Sequence, residues 1–261
     1  MIEHRRRREL FHAKGQWFRA AWHFSFESYR DRRHDHLGPL FVLNDDHLAP
    51  GAVWPLHPHK DVEGITYVAR GSFRHDDSIG TGGVFDTHLI QRMTLGAGSW
   101  HSECNASEDE PMRFIQLWLL PTEADLEPSC EQRQLDIGDL EGGLRCVVAP
   151  DGGDGGVTAH ADARVSVGLL DPGQQVGHRV VEGRGMYTVV LDGEARAGDI
   201  VLATGDALLV DEPWDDGLVA GDGGAHVMVI DVALTYQPVG VWTRRRWPDD
   251  PRRHDVRPTA G

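Results

Sequence analysis

Two pairs of residues with a spacing of two could bind a metal ion. His57 and His59 lie in LHPHKDVEG, directly before a strand-like run, and His101 and Glu103 lie in GAGSWHSE, directly after two glycines. Side chains two apart in a strand point to the same face, with α-carbons ~6.5 Å apart, so both members of a pair can reach one ion. Three imidazoles and a carboxylate suit a divalent transition metal such as Fe(II), Mn, Ni or Cu, with positions left for substrate or oxygen.

The acidic ligand has a competitor, and the histidine pattern alone carries little weight. Glu63 is an even number of residues from His57 and His59, so in one continuous strand it would point to the same face. Either Glu63 or Glu103 could therefore complete the site. Cys104 follows Glu103 directly, and alternation turns its thiol away. With 15 histidines in 261 residues, roughly one His-x-His pair is expected by chance. A second pair, HDH at residues 34–36, lies in a polar run without a strand, and we interpret it as solvated surface.

Strands must position these ligands, and strand-like segments recur along the chain. Segments with alternating or β-branched character are separated roughly every 8–12 residues by Gly, Pro, Asn or Asp, which predicts an all-β sandwich or barrel. Examples are GITYVARGSF, MRFIQLWLLP, ARVSVGLLDPG, MYTVVLDGEA and AHVMVIDVALTY. The polar stretch 121–143 separates two strand-rich regions of similar size. We therefore expect a metal-binding domain over residues 1–136, a second domain over 137–236 and a Pro- and Arg-rich tail over 237–261.

The composition argues against several classes of protein. A formal net charge of -15 disfavours a nucleic-acid binder, because attraction to phosphate needs a basic surface. No apolar run reaches the length of a membrane span, and the first residues lack the apolar core of a secretion signal. We therefore expect a cytoplasmic protein that does not bind membranes. The three cysteines are odd in number and unclustered, which favours reduced thiols.

Basic residues are concentrated at the two ends of the sequence. Residues 1–14 and 244–261 hold 11 of the 26 basic residues and only 5 of the 41 acidic ones. These ends could bind an anionic protein partner. We favour the alternative that they are solvated and pair with the acidic body. We also expect a monomer.

The motifs together resemble the first half of the pirin family of the cupin superfamily. The resemblance is carried by GAVWPLHPHKDVEGITYVARGSFRHDDSIGTGGV, QRMTLGAGSWHSECN and FIQLWLLP, and it covers about residues 15–121 closely. From Val165 onward the chain resembles the family's second cupin more loosely. The resemblance implies a bicupin of two antiparallel β-barrel or jelly-roll domains, of which the second is degenerate. His178 and His226 are then structural or surface histidines rather than ligands.

The resemblance also implies a ligand set and a reaction. The ligands are His57, His59, His101 and Glu103, because pirin-like proteins take the acid from the second motif. Fe(II) is the first expectation for the ion, with Mn, Ni, Cu, Co or Zn as alternatives. The implied function is that of a quercetin 2,3-dioxygenase, in which Glu103 takes a proton from a flavonol and O2 opens the ring with release of CO. The alternative is a metal-responsive regulatory protein, without turnover, that binds a protein partner.

Four aromatic residues are candidates for lining an apolar substrate pocket if the protein is a dioxygenase. They are Phe24, Phe26, Trp54 and Trp100. Each could equally belong to the hydrophobic core, and we favour the core.

Overall fold

The structure, a computed structural model, describes residues 1–244 and is built almost entirely of β-strands. The first half contains β1 Ile2–Arg5, β2 Phe11–Lys14, β3 Phe18–Trp22, β4 Leu40–Leu48, β5 Val53–His59, β6 Glu63–Arg70, β7 Phe73–Asp77, β8 Gly82–Phe85, β9 Leu89–Thr94, β10 Ser99–Asn105, β11 Met112–Leu119 and β12 Ser129–Gln134. The second half contains β13 Arg145–Ala149, β14 Val157–Thr158, β15 Ala163–Leu170, β16 Gln175–Val176, β17 Arg184–Ala197, β18 Ile200–Ala203, β19 Ala207–Val210 and β20 Leu218–Ala233. The helical elements are α1 Ile137–Leu140 and two 3-10 turns, Arg7–Glu9 and Gly240–Arg244.

The first half is a sandwich of two antiparallel sheets. Seven strands pair in the order β12-β9-β6-β11-β4-β3-β2, and four pair in the order β5-β10-β7-β8. Side chains of both sheets meet in one core cluster, where Val68 and Phe114 of the larger sheet pack with Phe73 of the smaller one. Alternation along β10 directs His101 inward and leaves Trp100 exposed. The smaller sheet therefore presents the second predicted ligand pair to the interior.

The second half is a nine-stranded sheet folded around its own apolar core. Its main path is β1-β19-β17-β20-β15-β13-β14, with β16 paired to β20 and β18 paired to β17. β17 and β20 have 14 and 16 residues, and register shifts interrupt their ladder. Such irregularities bend long strands. Met186, Val190 and Leu208 belong to the resulting core cluster.

The two halves pack together through the outer face of the seven-stranded sheet. Ile65 and Tyr67 of β6 belong to the same buried cluster as Val165 and Ile230 of the second half. Thr66, between them, points into the first sandwich, where it bonds to Gln116 at 2.9 Å. Period-two alternation therefore gives each strand one face for its own sandwich and one for the interface.

The prediction of an all-β bicupin is confirmed, and the sheets are open jelly-roll sandwiches rather than closed barrels. The boundary between residues 136 and 137 stays a prediction. One element departs from it, since β1 pairs with β19 in the sheet of the second half. The polar stretch 121–143 contains the short helix α1, in agreement with a connection that includes a helical turn, and also the strand β12, which the sequence pattern does not predict. Of the predicted tail, residues 245–261 lie outside the described residues.

The expectation of solvated surface was wrong for the HDH pair and, within the described part of the basic ends, for Arg5. The expected pairing with acidic residues is present at Arg7, whose Nη1 lies 2.8 Å from Asp45 Oδ2. His34 of the HDH pair is buried and bonds to Asp31 and Glu3 at 2.8 and 3.0 Å, so this segment is not solvated surface. Arg5 of the N-terminal basic run is also buried and donates to Tyr187 Oη at 3.1 Å. Among the described helices, none is both long and apolar enough to cross a membrane.

Candidate metal centre

Three of the predicted ligands converge between β5 and β10. The two strands are antiparallel, and their register places His57 opposite His101 and His59 opposite Ser99. The ring centroids of His57 and His101 are 4.5 Å apart, those of His57 and His59 4.8 Å, and those of His59 and His101 5.3 Å. One nitrogen from each ring lies within 4.8 Å of the others. The three imidazoles can therefore face one ion with modest rearrangement.

Hydrogen bonding and burial leave these imidazoles suited to metal binding. His101 is 3% exposed, and within residues 1–244 neither of its ring nitrogens has a hydrogen-bond partner. His57 Nδ1 lies 2.8 Å from the Pro55 carbonyl oxygen, which can only accept, so Nδ1 carries the proton and Nε2 keeps a free lone pair. Burial lowers the pKa of His101 to about 2 and that of His59 to about 3. Neutral imidazole is the ligand form, and an ion would give His101 its missing partner.

Glu103 shares the inner face of β10 but does not join the three histidines. A register shift between His101 and Glu103 places Glu103 opposite Trp54. The group whose ligand atoms lie within 4.8 Å of one another consists of the histidines alone. Thr66 Oγ1 donates to the Glu103 carboxyl at 3.5 Å, and burial raises the pKa of Glu103 to about 7. Coordination by Glu103 therefore stays a prediction.

Glu63, the competing acid, lies at the interface between the halves. Its Oε2 accepts from Thr94 Oγ1 at 3.1 Å and from the His160 backbone N–H at 3.2 Å, and it is 4.0 Å from Arg92 Nε. Glu63 does not share a face with His57 and His59, because β5 ends at His59 and a turn precedes Glu63. In that turn Asp61 adopts a φ of 52°, so strand alternation does not continue through it.

Two aromatic side chains, Trp118 and Phe26, form an aromatic wall beside the histidines, and Trp118 was not predicted from the sequence. Trp118 of β11 has its ring centroid 4.6 Å from that of His59, at an interplanar angle of 70°. Phe26 packs edge-on against Trp118 at 5.5 Å. Trp118 lies within FIQLWLLP, a largely apolar run in which alternation does not indicate which face of the strand Trp118 occupies. Trp118 and Phe26 give the site an apolar side.

The other aromatic candidates lie elsewhere. Phe24 belongs to the buried cluster between the halves. Trp54 packs against Trp17 and Phe18, with centroid distances of 5.1 Å to each. Trp100 is 48% exposed on the outer face of its sheet. Of the four, only Phe26 is therefore part of the wall beside His59.

The loop that follows His59 is held by the C-terminal segment. Asp61 is fully buried, and its carboxylate accepts the backbone N–H groups of Asp125 at 2.8 Å and Val241 at 3.0 Å. Its carbonyl oxygen accepts Trp242 Nε1–H at 2.6 Å. The 3-10 turn Gly240–Arg244 therefore fixes the end of the strand that carries two of the histidines.

The two isolated histidines of the second half have protein partners. His178 Nε2 lies 3.1 Å from Asp231. His226 Nε2 lies 3.0 Å from Tyr67 Oη, which also contacts His88 Nδ1 at 2.8 Å. These contacts fit the structural role expected for both residues.

The paired jelly rolls and the convergent histidines of the first half define a two-domain cupin with a candidate site for a divalent metal. The sequence model described as Pirin matches residues 3–119, and that of the quercetinase C-terminal cupin domain matches residues 146–232. Quercetin 2,3-dioxygenase from Escherichia coli (strain K12) is 32% identical over 235 residues, which are 89% of this chain and 99% of that protein. The chain belongs to the pirin family.

Two solved structures share the whole fold. YhhW from Escherichia coli superimposes with a TM-score of 0.84 at 31% identity, over 91% of this chain and 100% of that one. The complex of the bacterial pirin YhhW with nickel(II) gives a TM-score of 0.82 at 30% identity, over 92% and 100% of the two chains. YhhW, a relative with the same fold, thus binds a divalent ion, nickel(II).

Proposed function

We propose that the protein is a metal-dependent dioxygenase that opens the central ring of a flavonol with O2 and releases CO. The observation that carries the proposal is the convergence of three imidazoles beside Trp118, one of them without a hydrogen-bond partner among the described residues. The similarity to a protein named quercetin 2,3-dioxygenase supports the same reaction class. Fe(II) remains our first expectation for the ion, and the nickel complex of YhhW supports a broader choice.

The side chains of the site have distinct roles in this proposal. His57, His59 and His101 hold the ion, which when bound supplies Lewis-acid polarisation of the substrate oxygen and a place for O2. Glu103 accepts the proton of the flavonol hydroxyl, because its buried carboxyl lies on the same face as His101. Trp118 contacts the flat rings of the substrate and excludes water around them.

The first experiment compares oxygen uptake, quercetin consumption and CO release for metal-loaded protein and a matched pair of variants. His101→Ala should lose the ion and the turnover. His160→Ala, which changes an exposed histidine far along the chain, should keep both. Turnover in rigorously metal-free protein, or undiminished turnover in the His101 variant, would refute the proposal. A fully loaded protein that turns over no flavonol would instead favour the regulatory alternative.

A second variant separates the two roles predicted for Glu103. Glu103→Gln should lower kcat by about 10²–10⁴, the range expected for loss of a general base. If Glu103 is also a ligand, elemental analysis of the same variant will show reduced metal content. An unchanged kcat would contradict a role in proton transfer.

A further inference from the structure

A second group of potential ligands lies in the first half, apart from the three convergent histidines. It consists of His75 and Asp77 of β7 and Cys130 of β12, which we call the NOS cluster. One ligand atom from each residue lies within 4.8 Å of the other two. The side chains of His75 and Asp77 are fully buried, and Cys130 is partly buried. β7 belongs to the four-stranded sheet and β12 is the edge strand of the seven-stranded one, so the cluster joins the two layers.

The carboxylate of Asp77 is held in place by the turn that follows it. Oδ1 accepts the backbone N–H groups of Ile79, Gly80 and Thr81 at 2.9, 2.9 and 3.0 Å. Oδ2 faces His75 Nε2 at 2.9 Å and also accepts the Thr81 hydroxyl. One oxygen is therefore anchored, and the other points at the imidazole and the hydroxyl. Ligating carboxylates in metal sites are supported by hydrogen bonds in the same way.

The three donors together define the class of ligand. They are an imidazole nitrogen, a carboxylate oxygen and a thiol sulfur, and a thiolate donor favours thiophilic ions such as Zn²⁺ over hard cations. Tetrahedral Zn²⁺, with bonds of ~2.0–2.3 Å, requires donors roughly 3.3–3.8 Å apart. To meet that requirement, the 2.9 Å distance between His75 Nε2 and Asp77 Oδ2 would lengthen by about 0.4 Å, and the distances to Cys130 Sγ, at most 4.8 Å, would shorten by up to about 1.3 Å. The Thr81 hydroxyl or a water could serve as the fourth donor.

We propose that the NOS cluster is a second metal site, which takes a thiophilic divalent cation of the Zn²⁺ class and clamps the edge strand β12 to the smaller sheet. The ion takes the place of the hydrogen shared by His75 and Asp77. The imidazole remains neutral by moving its proton to Nδ1, which requires the Gln91 amide, whose Nε2 lies 3.4 Å away, to turn its oxygen towards Nδ1 and the Gln132 amide to turn with it. The Cys130 thiol releases one proton to solvent. The His75 ring centroid is 5.8 Å from that of His101, so the two sites are neighbours with different donor sets.

Cobalt(II) distinguishes the sites, because absorption by charge transfer from thiolate to cobalt requires a cysteine ligand and the first site has none. Metal-free wild-type protein titrated with Co²⁺ should bind two ions per chain and develop this absorption. Zn²⁺ added in equal amount should abolish it. Binding of a single ion without the thiolate absorption would overturn the proposal.

Matched variants assign the signal to the NOS cluster. Cys130→Ser should lose the absorption and one ion, and Cys104→Ser, which changes a cysteine beside Glu103, should keep both. His57→Ala should lose one ion and keep the absorption, so a failure of the first site is distinguishable from a failure of the second. His75→Gln provides an independent test should Cys130→Ser fold poorly, and it should also abolish the absorption. Persistence of the absorption in either NOS cluster variant would refute the assignment.

Discussion

Replacing Asp45 with asparagine should lower the free energy of unfolding by several kcal/mol. Asp45 is 1% exposed and accepts hydrogen bonds from Arg113 Nε at 2.7 Å, Arg113 Nη2 at 3.0 Å and Arg7 Nη1 at 2.8 Å. Arg113 also donates to the Leu191 carbonyl of the second half at 2.6 Å. The carboxylate therefore ties the N-terminal segment and the seven-stranded sheet to the second half.

The size of the effect follows from the burial of each partner. The Arg113 side chain is largely buried, and breaking a buried ion pair costs about 3–5 kcal/mol, because the remaining charge is left uncompensated. The pair with Arg7 is more exposed and adds at most about 1 kcal/mol. We therefore expect Asp45→Asn to lose about 3–5 kcal/mol at neutral pH. Asp109→Asn, at an exposed position, should stay within about 0.5 kcal/mol of wild type.

The same prediction has a definite pH dependence. Burial alone would raise the pKa of Asp45, but the nearby His47, whose Nε2 lies 3.4 Å from Asp45 Oδ1, and the hydrogen bonds from Arg113 outweigh it and hold the pKa well below its usual range. A depressed pKa contributes stability that is fully present above the unfolded value of about 3.9 and is lost as the pH falls towards the folded value. Urea unfolding should therefore show the full difference at pH 7 and a smaller one below about pH 4. A difference under about 1 kcal/mol at pH 7, or one that widens in acid, would refute the reasoning.

Three further predictions concern other contacts. Trp242→Phe removes the N–H that bonds to the Asp61 carbonyl, so the free energy of unfolding should fall by about 0.5–1.5 kcal/mol. The variant should also lose its metal to a chelator faster than wild type. An unchanged rate of metal loss would show that the C-terminal segment does not support the site. Gly96→Ala should destabilise by about 1–3 kcal/mol, because its Cβ would lie 1.8 Å from the Leu126 carbonyl oxygen. Gly138→Ala, in α1 with open space around it and no positive φ, should cost less in urea unfolding. Tyr67→Phe should lower the free energy of unfolding by about 1–3 kcal/mol, because His88 and His226 lose their shared hydrogen-bond partner. No change in urea unfolding would mean that water replaces the hydroxyl.

Strand alternation predicted which of the candidate ligands share a face within one strand. His57 and His59 share one face of β5, and His101 shares a face of β10 with Glu103, because side chains alternate along a strand. The same rule misplaced Glu63, since a turn with Asp61 at positive φ separates the two strands. Alternation predicts neighbours within a strand and cannot be carried across a break in it.

Contacts between distant segments were beyond the sequence. The resemblance correctly implied the bicupin fold, but neither it nor the pattern of strands indicated that Trp118 would stand against His59 or that Trp242 would bond to Asp61. Sheet register and the path of the C-terminal segment determine both contacts. The burial of His34 has a similar origin, because its partner Glu3 lies on a strand that joins the other half.

The position of β1 has a consequence for the order of folding during synthesis. Ile2–Arg5 is made about 200 residues before its partner Ala207–Val210, with Ile2 opposite Val210. At ~5–20 residues per second, the ribosome needs roughly 10–40 s to bring out the partner after the first strand. β1 therefore lacks its partner strand during the time in which the strands of the first sandwich are made. Its pairing with β19 can form only after the second half has been synthesised, and it then links the two halves through their backbones.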